Sequence, residues 1–267
     1  MTYGSYMEPV YTSVISLARG VFAAQGLKIT IHGAENVPRV GGAVMTINHT
    51  GYMDFTYAGL VALPSKRLVR FMAKDEVFKH KISGPLMRGM HHIPVDRDAG
   101  SASYRAAVKA LKDGEIVGVF PEATISRSFE LKEFKSGAAR MAAAAGVAIL
   151  PTIIWGSQRV WTKDHPKQLG RRKIPIILSV GEPIVVTRKE DAEEAMALVR
   201  ERMTALLHAA QNEYPPLTGD DLRFLPARLG GTAPTPERAT EADAEEAVAR
   251  AARRAAKSAE EQTRTKP

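Results

Sequence analysis

His49 and Asp54 stand five residues apart in Ile47-Asn48-His49-Thr50-Gly51-Tyr52-Met53-Asp54, directly after the apolar run Gly42-Ala43-Val44-Met45-Thr46-Ile47. An imidazole that gives one ring N–H to a carboxylate keeps its other nitrogen free to take a proton, so such a pair makes a general base. On one straight helix, residues five apart point about 140° away from each other. The short apolar run reads instead as a buried parallel strand. Thr50 suits a helix cap and Gly51 an unusual backbone angle at the corner that follows. His49 is then expected on the loop at the carboxyl end of the strand, with Asp54 on the first turn of the next helix and the imidazole folded back onto it. The plain alternative is a structural histidine beside an N-terminal helix acid.

The rest of the chain must build the frame for that pair. Strand patterns fall at Leu68–Ala73, His92–Val95, Glu115–Phe120, Ala148–Trp155 and Pro175–Val180, and helical patterns at Met53–Leu63, Ser101–Lys112 and Ser136–Ala145, with a shorter one around Ile82–Met90. This alternation implies an α/β fold, a mostly parallel central sheet flanked by helices, with sites at the carboxyl ends of strands. His49, Lys74, Arg97 and Glu122 each follow a strand, so one sheet edge would gather them. Lys189–Asn212 reads as a long packing helix with Ala195, Leu198, Val199, Met203, Leu206 and Leu207 inward.

Four further segments accompany the first in order: Ile93-Pro94-Val95-Asp96-Arg97, Phe120-Pro121-Glu122-Ala123-Thr124, Phe134-Lys135-Ser136-Gly137 and Ile149-Leu150-Pro151-Thr152-Ile153-Ile154. With Asn48-His49 and Asp54, this set resembles the motifs of the glycerolipid acyltransferase family (PlsC-like), whose bacterial type member is 1-acylglycerol-3-phosphate acyltransferase. The resemblance covers roughly residues 25–185. The chain departs from the family at two places, with Ala123 where the family has Gly and Ile125 where it has the Arg implicated in gripping the acceptor's phosphate. Ser126 keeps the family's hydroxyl position, and Arg127, two residues on, is a candidate substitute for the missing cation. The Glu-Ala-Thr-Ile-Ser form resembles an actinobacterial branch of the family.

The resemblance implies transfer of a fatty acyl group from acyl-CoA, or acyl carrier protein, to a lysophospholipid or glycerol phosphate hydroxyl, with no cofactor. Lysophosphatidic acid is the first expectation for the acceptor, and glycerol 3-phosphate or another lipid or glycolipid hydroxyl the second. His49 would be the base and Asp54 its orienter. Arg97 would bind the acceptor's phosphate, while Glu122, Ala123 and Thr124 shape the acceptor site and Lys74 matches a basic position of the family. For Arg97 and Glu122 the alternative is a solvated or mutually paired charge, and for Lys74 an exposed lysine near a loop. The chemistry itself agrees: an alcohol attacking a thioester needs its proton removed and its oxyanion stabilised, but no protein nucleophile. The chain has no Cys and no Gly-x-Ser-x-Gly elbow, which speaks against a covalent acyl-enzyme.

Composition narrows the partners. Thirty-seven Lys and Arg against 29 Asp and Glu give a net charge of +8, in a chain of 267 residues that is 45% hydrophobic. From Gly230 onward the charges balance seven to seven, so the excess lies in the body and points to anionic partners such as an acidic membrane surface. Nucleic acid is not expected, since there is no zinc-finger spacing and only 6% of residues are aromatic. No metal is expected either: His91 and His92 are neighbours on a strand pattern and would face opposite ways. No apolar run reaches the ~18 residues of a membrane span. Tyr3, Tyr6, Val10, Val14, Leu17 and Val21, flanked by Met7, Tyr11, Ile15, Ala18 and Phe22, form an apolar stripe at helical spacing. It suits either an interfacial anchor or a helix packed on the core. The expected organisation is an amphipathic helix over 1–26, an acyltransferase domain over 27–228, and a flexible or partly helical tail over 229–267. The expected location is the cytoplasmic face of the cell membrane, peripherally bound. Two other classes remain: a non-catalytic membrane-binding protein of the same fold, and a hydrolase that passes the acyl group to water.

Overall fold

Buried aliphatic runs set the strands. In β2 (Ala43–Ile47) all five residues are buried, as befits a strand covered on both faces. It lies between β5 (Ile116–Val119) and β6 (Ala148–Trp155), parallel to both. The structure, a computed structural model, describes residues 8–96 and 100–264. Arg97, Tyr3, Tyr6 and Met7 lie outside the described residues.

Among the described residues, seven strands form one sheet in the order β1-β7-β6-β2-β5-β3-β4, where β1 is Lys28–His32, β3 Val69–Lys74, β4 Ile93–Val95 and β7 Pro175–Val180. Every pair is parallel except β6 with β7, which is antiparallel. The sheet is thus mostly parallel, and β2, β5, β3 and β4 present their carboxyl ends at one edge. β1 has no counterpart in the sequence reading; its Lys-Ile-Thr-Ile-His alternation, with Ile29 and Ile31 half-buried, belongs to an edge strand.

Helices form where their apolar spacing meets the sheet. α5 (Gly100–Lys112) buries Ser103, Ala107 and Leu111, one residue per turn. α6 (Gly137–Ala145) ends at Gly146, whose φ of 71° suits a left-handed cap. α7 (Ala192–Glu213) begins at Asp191, whose carboxylate accepts from the amides of Glu193 at 2.8 Å and Glu194 at 3.0 Å. Its inner face is Ala195, Met196, Val199, Met203, Leu207 and Ala210, whereas Leu198, expected inside, is 40% exposed. The helix expected over 53–63 is shorter: α2 (Asp54–Ala58) passes into a 3₁₀ turn over Gly59–Ser65, which holds Pro64. Between β3 and β4 stand two short helices, α3 (Asp75–Lys79) and α4 (Ser83–Gly89).

α1 (Pro9–Gln25) opens with Pro at its first turn and closes on left-handed Gly26. Tyr11 and Phe22 are buried, and the Tyr11 hydroxyl donates to the Val69 carbonyl at 2.8 Å. Glu8, at the start of the helix, pairs with buried Arg70 on β3, which also bonds Glu115 at 3.2 Å and the Met90 carbonyl at 3.1 Å. The opposite side of α1 leaves Leu17 70% and Val21 45% exposed. Among the described residues, no helix is long and apolar enough to cross a membrane.

The chain divides into two compact units. One runs to Ile125 and resumes over Leu131–Pro216; it contains the sheet and α1 to α7. The other comprises Ser126–Glu130 and the chain from Leu217 onward, including α8 (Pro236–Arg264). In it, Phe129 and Phe224 are buried, Arg228 pairs with Glu130 at 2.6 Å, and Arg127 is held by Asp243 and, at 2.9 Å, by Glu246.

Candidate active site

The chain leaves β2 at Ile47, and Asn48 continues the strand's pairing with its side chain. Its Nδ2 donates to the Ile154 carbonyl at 3.0 Å, and its Oδ1 accepts from the Ile154 amide at 2.7 Å. This buried amide stands in for one more residue of the β2–β6 ladder and pins the next residue, His49, at the carboxyl edge of the sheet.

His49 Nδ1 lies 2.9 Å from Asp54 Oδ2. Asp54 is the first residue of α2 and is fully buried, while the His49 side chain is 21% exposed. The same Asp54 oxygen accepts from the amides of Thr50 at 2.7 Å and Gly51 at 2.8 Å, and the other oxygen accepts from the Ser157 hydroxyl at 2.6 Å. With a carboxylate at Nδ1, the proton sits on Nδ1 and Nε2 is the nitrogen able to accept one. The ring stacks on Phe120, centroids 4.4 Å apart.

The corner differs from the sequence expectation in its means. Thr50 does not cap α2; its hydroxyl pairs with that of Ser157 at 3.1 Å. Gly51 has no left-handed backbone. It is small because a Cβ there would come within 3.1 Å of the Ser157 and Trp161 carbonyls and 3.2 Å of Asp54 Oδ1.

Glu122 follows β5, the neighbour of β2. It is buried; Oε1 accepts from the His49 amide at 2.9 Å and Oε2 from the Lys132 amide at 3.3 Å. Burial pushes its carboxyl up to about 8, against the pull of the two amides and the Lys132 charge. Glu122 therefore holds the backbone of His49 in place from the far side of Asp54.

Residues outside the expected set complete the site. Besides Ser157, the segment after β6 is fastened to the histidine loop by the Thr162 hydroxyl, which donates to the Thr50 carbonyl at 2.6 Å, and by the Trp161 carbonyl, which accepts from the Tyr52 amide at 2.9 Å. Tyr52 and Trp161 also pair as rings, 4.9 Å between centroids. Ser157 and Thr162 were illegible in the sequence because only the strand order, β6 beside β2, brings them here. Lys163, next along, donates to the Thr124 hydroxyl at 3.0 Å. His92, by contrast, is an interior residue: its Nδ1 accepts from the Phe71 amide at 3.1 Å, and burial lowers its pKa to about 4. Among the described residues, no three His, Cys, Asp or Glu side chains form a group able to hold a metal ion.

A family profile described as Acyltransferase matches residues 28–155. The 1-acyl-sn-glycerol-3-phosphate acyltransferase of Bacillus subtilis (strain 168) is 31% identical over 198 residues, which span 70% of this chain and 91% of that protein. The chain belongs to the acyltransferase family. A protein of the same description from Borreliella burgdorferi is 29% identical over 145 residues, 52% of this chain and 56% of its own length. Among solved structures, the 1-acyl-sn-glycerophosphate (LPA) acyltransferase PlsC of Thermotoga maritima shares the fold, with a TM-score of 0.63 at 21% identity over 77% of this chain and 81% of that one. The chain is an O-acyltransferase of phospholipid synthesis.

At both places where this acyltransferase departs from the family's motif, the structure shows what the new residue does. Ala123, in the glycine position, has a φ of 61°, the left-handed geometry that glycine takes without strain. Ile125, in the arginine position, is 4% exposed and supplies no charge. Ser126 is buried in the second unit, where its hydroxyl donates to the Glu130 carbonyl at 2.7 Å. Arg127 is bound to Asp243 and Glu246 in that same unit. Lys74 closes β3 and is exposed, at the strand's carboxyl end. Of the expected residues, His49, Asp54 and Glu122 are joined directly by hydrogen bonds, and Thr124 lies two residues beyond Glu122.

Proposed function

We propose that this acyltransferase moves a fatty acyl group from acyl-CoA to the free hydroxyl of lysophosphatidic acid, giving phosphatidic acid, with His49 as general base. The observation that carries this reading is the 2.9 Å contact of His49 Nδ1 with a buried carboxylate that accepts from three other donors as well. The names of the relatives support the acceptor. In the reaction the acceptor's oxygen attacks the thioester carbonyl carbon as its proton passes to His49 Nε2. Asp54 stabilises the imidazolium that results. The carbonyl re-forms as the C–S bond breaks, and the imidazolium proton goes to the departing sulfur, leaving an ester and a free thiol. Nothing becomes attached to the protein.

A second reading, the same chemistry on glycerol 3-phosphate or on another lipid or glycolipid hydroxyl, is favoured by Ile125, which replaces a cation with a buried aliphatic side chain. The site would work on the cytoplasmic face of the membrane, with α1 and the basic body of the protein against the bilayer.

The test is thiol release from long-chain acyl-CoA by the full chain, with lysophosphatidic acid, glycerol 3-phosphate and an uncharged monoacylglycerol supplied in turn. Release should require an acceptor, be fastest with lysophosphatidic acid, and fall at least about a hundredfold in His49→Ala, the usual contribution of a positioned base. Release without any acceptor would point to hydrolysis instead. Equal rates in the His49→Ala variant would overturn the mechanism.

A further inference from the structure

Resting on the reading above, we propose that the loop between β6 and β7 binds the nucleotide of the acyl-CoA donor, with adenine stacked on Trp161 and phosphate beside Lys167. Topology puts this loop in reach. β6 runs parallel to β2, Ile47 facing Thr152, and β7 returns antiparallel, Trp155 facing Ile177. The loop that joins them therefore stands at the same carboxyl edge as His49. Its backbone is also secured there. The Trp161 carbonyl accepts from the amide of Tyr52, three residues beyond His49, and the Gln168 amide closes the loop onto the Val160 carbonyl at 2.8 Å. From α1, the Gln25 side chain donates to the Leu169 carbonyl at 3.1 Å, and its carbonyl accepts from the Lys173 amide at 3.2 Å.

Composition and ring geometry then select the ligand. Lys163, Lys167, Arg171, Arg172 and Lys173 stand between Trp161 and Ile174 against one acid, Asp164. A loop so basic favours a polyanion. Trp161 is partly exposed and pairs with Tyr52, and the ammonium of exposed Lys167 lies 4.0 Å from the centre of its ring. An aromatic face with a cation on it takes a base by stacking and a phosphate by charge, the combination used by proteins that bind single-stranded nucleic acid. The nucleotide of CoA supplies both, an adenine and several phosphates. Lys167 has a flexible stem, so its charge can pass from the ring to a phosphate as the base arrives. An acidic carrier protein would meet the same charges but has no use for the indole. A bilayer fits less well, because Leu169 is the one exposed large hydrophobic residue in 157–174. The pantetheine arm then leads from this loop past Tyr52 toward His49.

Binding of free CoA, with neither acyl group nor acceptor present, separates this inference from the transfer reaction. CoA and pantetheine would each be titrated into the full chain, read by calorimetry and by tryptophan fluorescence. Of the two tryptophans Trp155 is buried, so quenching by CoA reports on Trp161. Trp161→Leu should weaken CoA by about tenfold, the worth of one base–aromatic stack, and Trp161→Phe, which keeps a ring, by only about threefold. Lys167→Met should weaken CoA by about fivefold and make its binding less sensitive to salt. In turnover, the kcat/KM preference for acyl-CoA over acyl-pantetheine should shrink by the same factors. Undiminished CoA affinity in Trp161→Leu overturns the proposal, and so does an equal loss of kcat/KM for both thioesters. A Lys167→Met variant that loses phosphatidylglycerol vesicles but keeps CoA also overturns it, and assigns the loop to lipid. A wild-type chain that binds no CoA yet transfers from acyl carrier protein would sink this inference and leave acyl transfer standing. CoA bound through Trp161 with no transfer to any acceptor would do the reverse.

Discussion

Burial pushes the Glu122 carboxyl up to about 8 from an ordinary 4.5, so the folded protein retains a proton there that an unfolded chain releases. The stabilisation from that proton is complete below about pH 4.5 and is lost as the pH rises through about 8. In urea unfolding, wild-type stability should fall between about pH 6 and pH 8 by about 1 to 2 kcal/mol more than that of Glu122→Gln, which has no proton to lose. Identical pH slopes would mean that the carboxyl titrates normally. Ala123 makes a separate claim about the backbone. At a φ of 61°, Ala123→Val should cost about 1 to 2 kcal/mol, because a β-branched side chain suffers more than alanine in that region. Ala123 is exposed, so no change in packing confuses the measurement.

At the scale of elements, the carboxyl edge of the sheet depends on one amide. Asn48→Ala removes both hydrogen bonds to Ile154 and leaves that residue's buried N–H and C=O unmet, which should lower stability by about 2 to 4 kcal/mol in urea unfolding. The same substitution should also lower kcat, since His49 is the next residue. This edge was partly legible beforehand. The apolar run 43–47 announced a buried strand, and its spacing to Asp54 announced the pair, because both are local patterns. The partners from 156–163 were not legible: they are more than a hundred residues away, and no periodicity says that β6 lies beside β2. β1 is not legible in the sequence, because a five-residue edge strand with only two isoleucines carries too little signal. Leu198, an apolar neighbour of Val199, fits a helical stripe in sequence, yet the buried face takes in Met196 beside the expected Ala195 and leaves Leu198 outside.

For the whole molecule, charge and exposed apolar surface point the same way. The net +8 lies in the body of the chain, and α1 shows Leu17 and Val21 to the outside. Co-sedimentation with phosphatidylglycerol vesicles should therefore be strong at low salt and fall steeply near 1 M NaCl, where screening shortens to about 3 Å. A Leu17→Glu, Val21→Glu double variant should bind less at every salt concentration. Binding that is indifferent to both lipid charge and these substitutions would remove the case for a membrane-facing α1.

Arg70 joins the start of α1 to β3 and, through Glu115, to the turn before β5. Lifting the helix away would strand a guanidinium in a nearly dry interior with one of its carboxylates gone. The helix cannot then swing like a gangplank between protein and lipid. Wherever Leu17 and Val21 come to rest on a bilayer, the sheet comes to rest with them, and the height and tilt of His49 above the lipid are fixed in advance, as a keel fixes the trim of a hull.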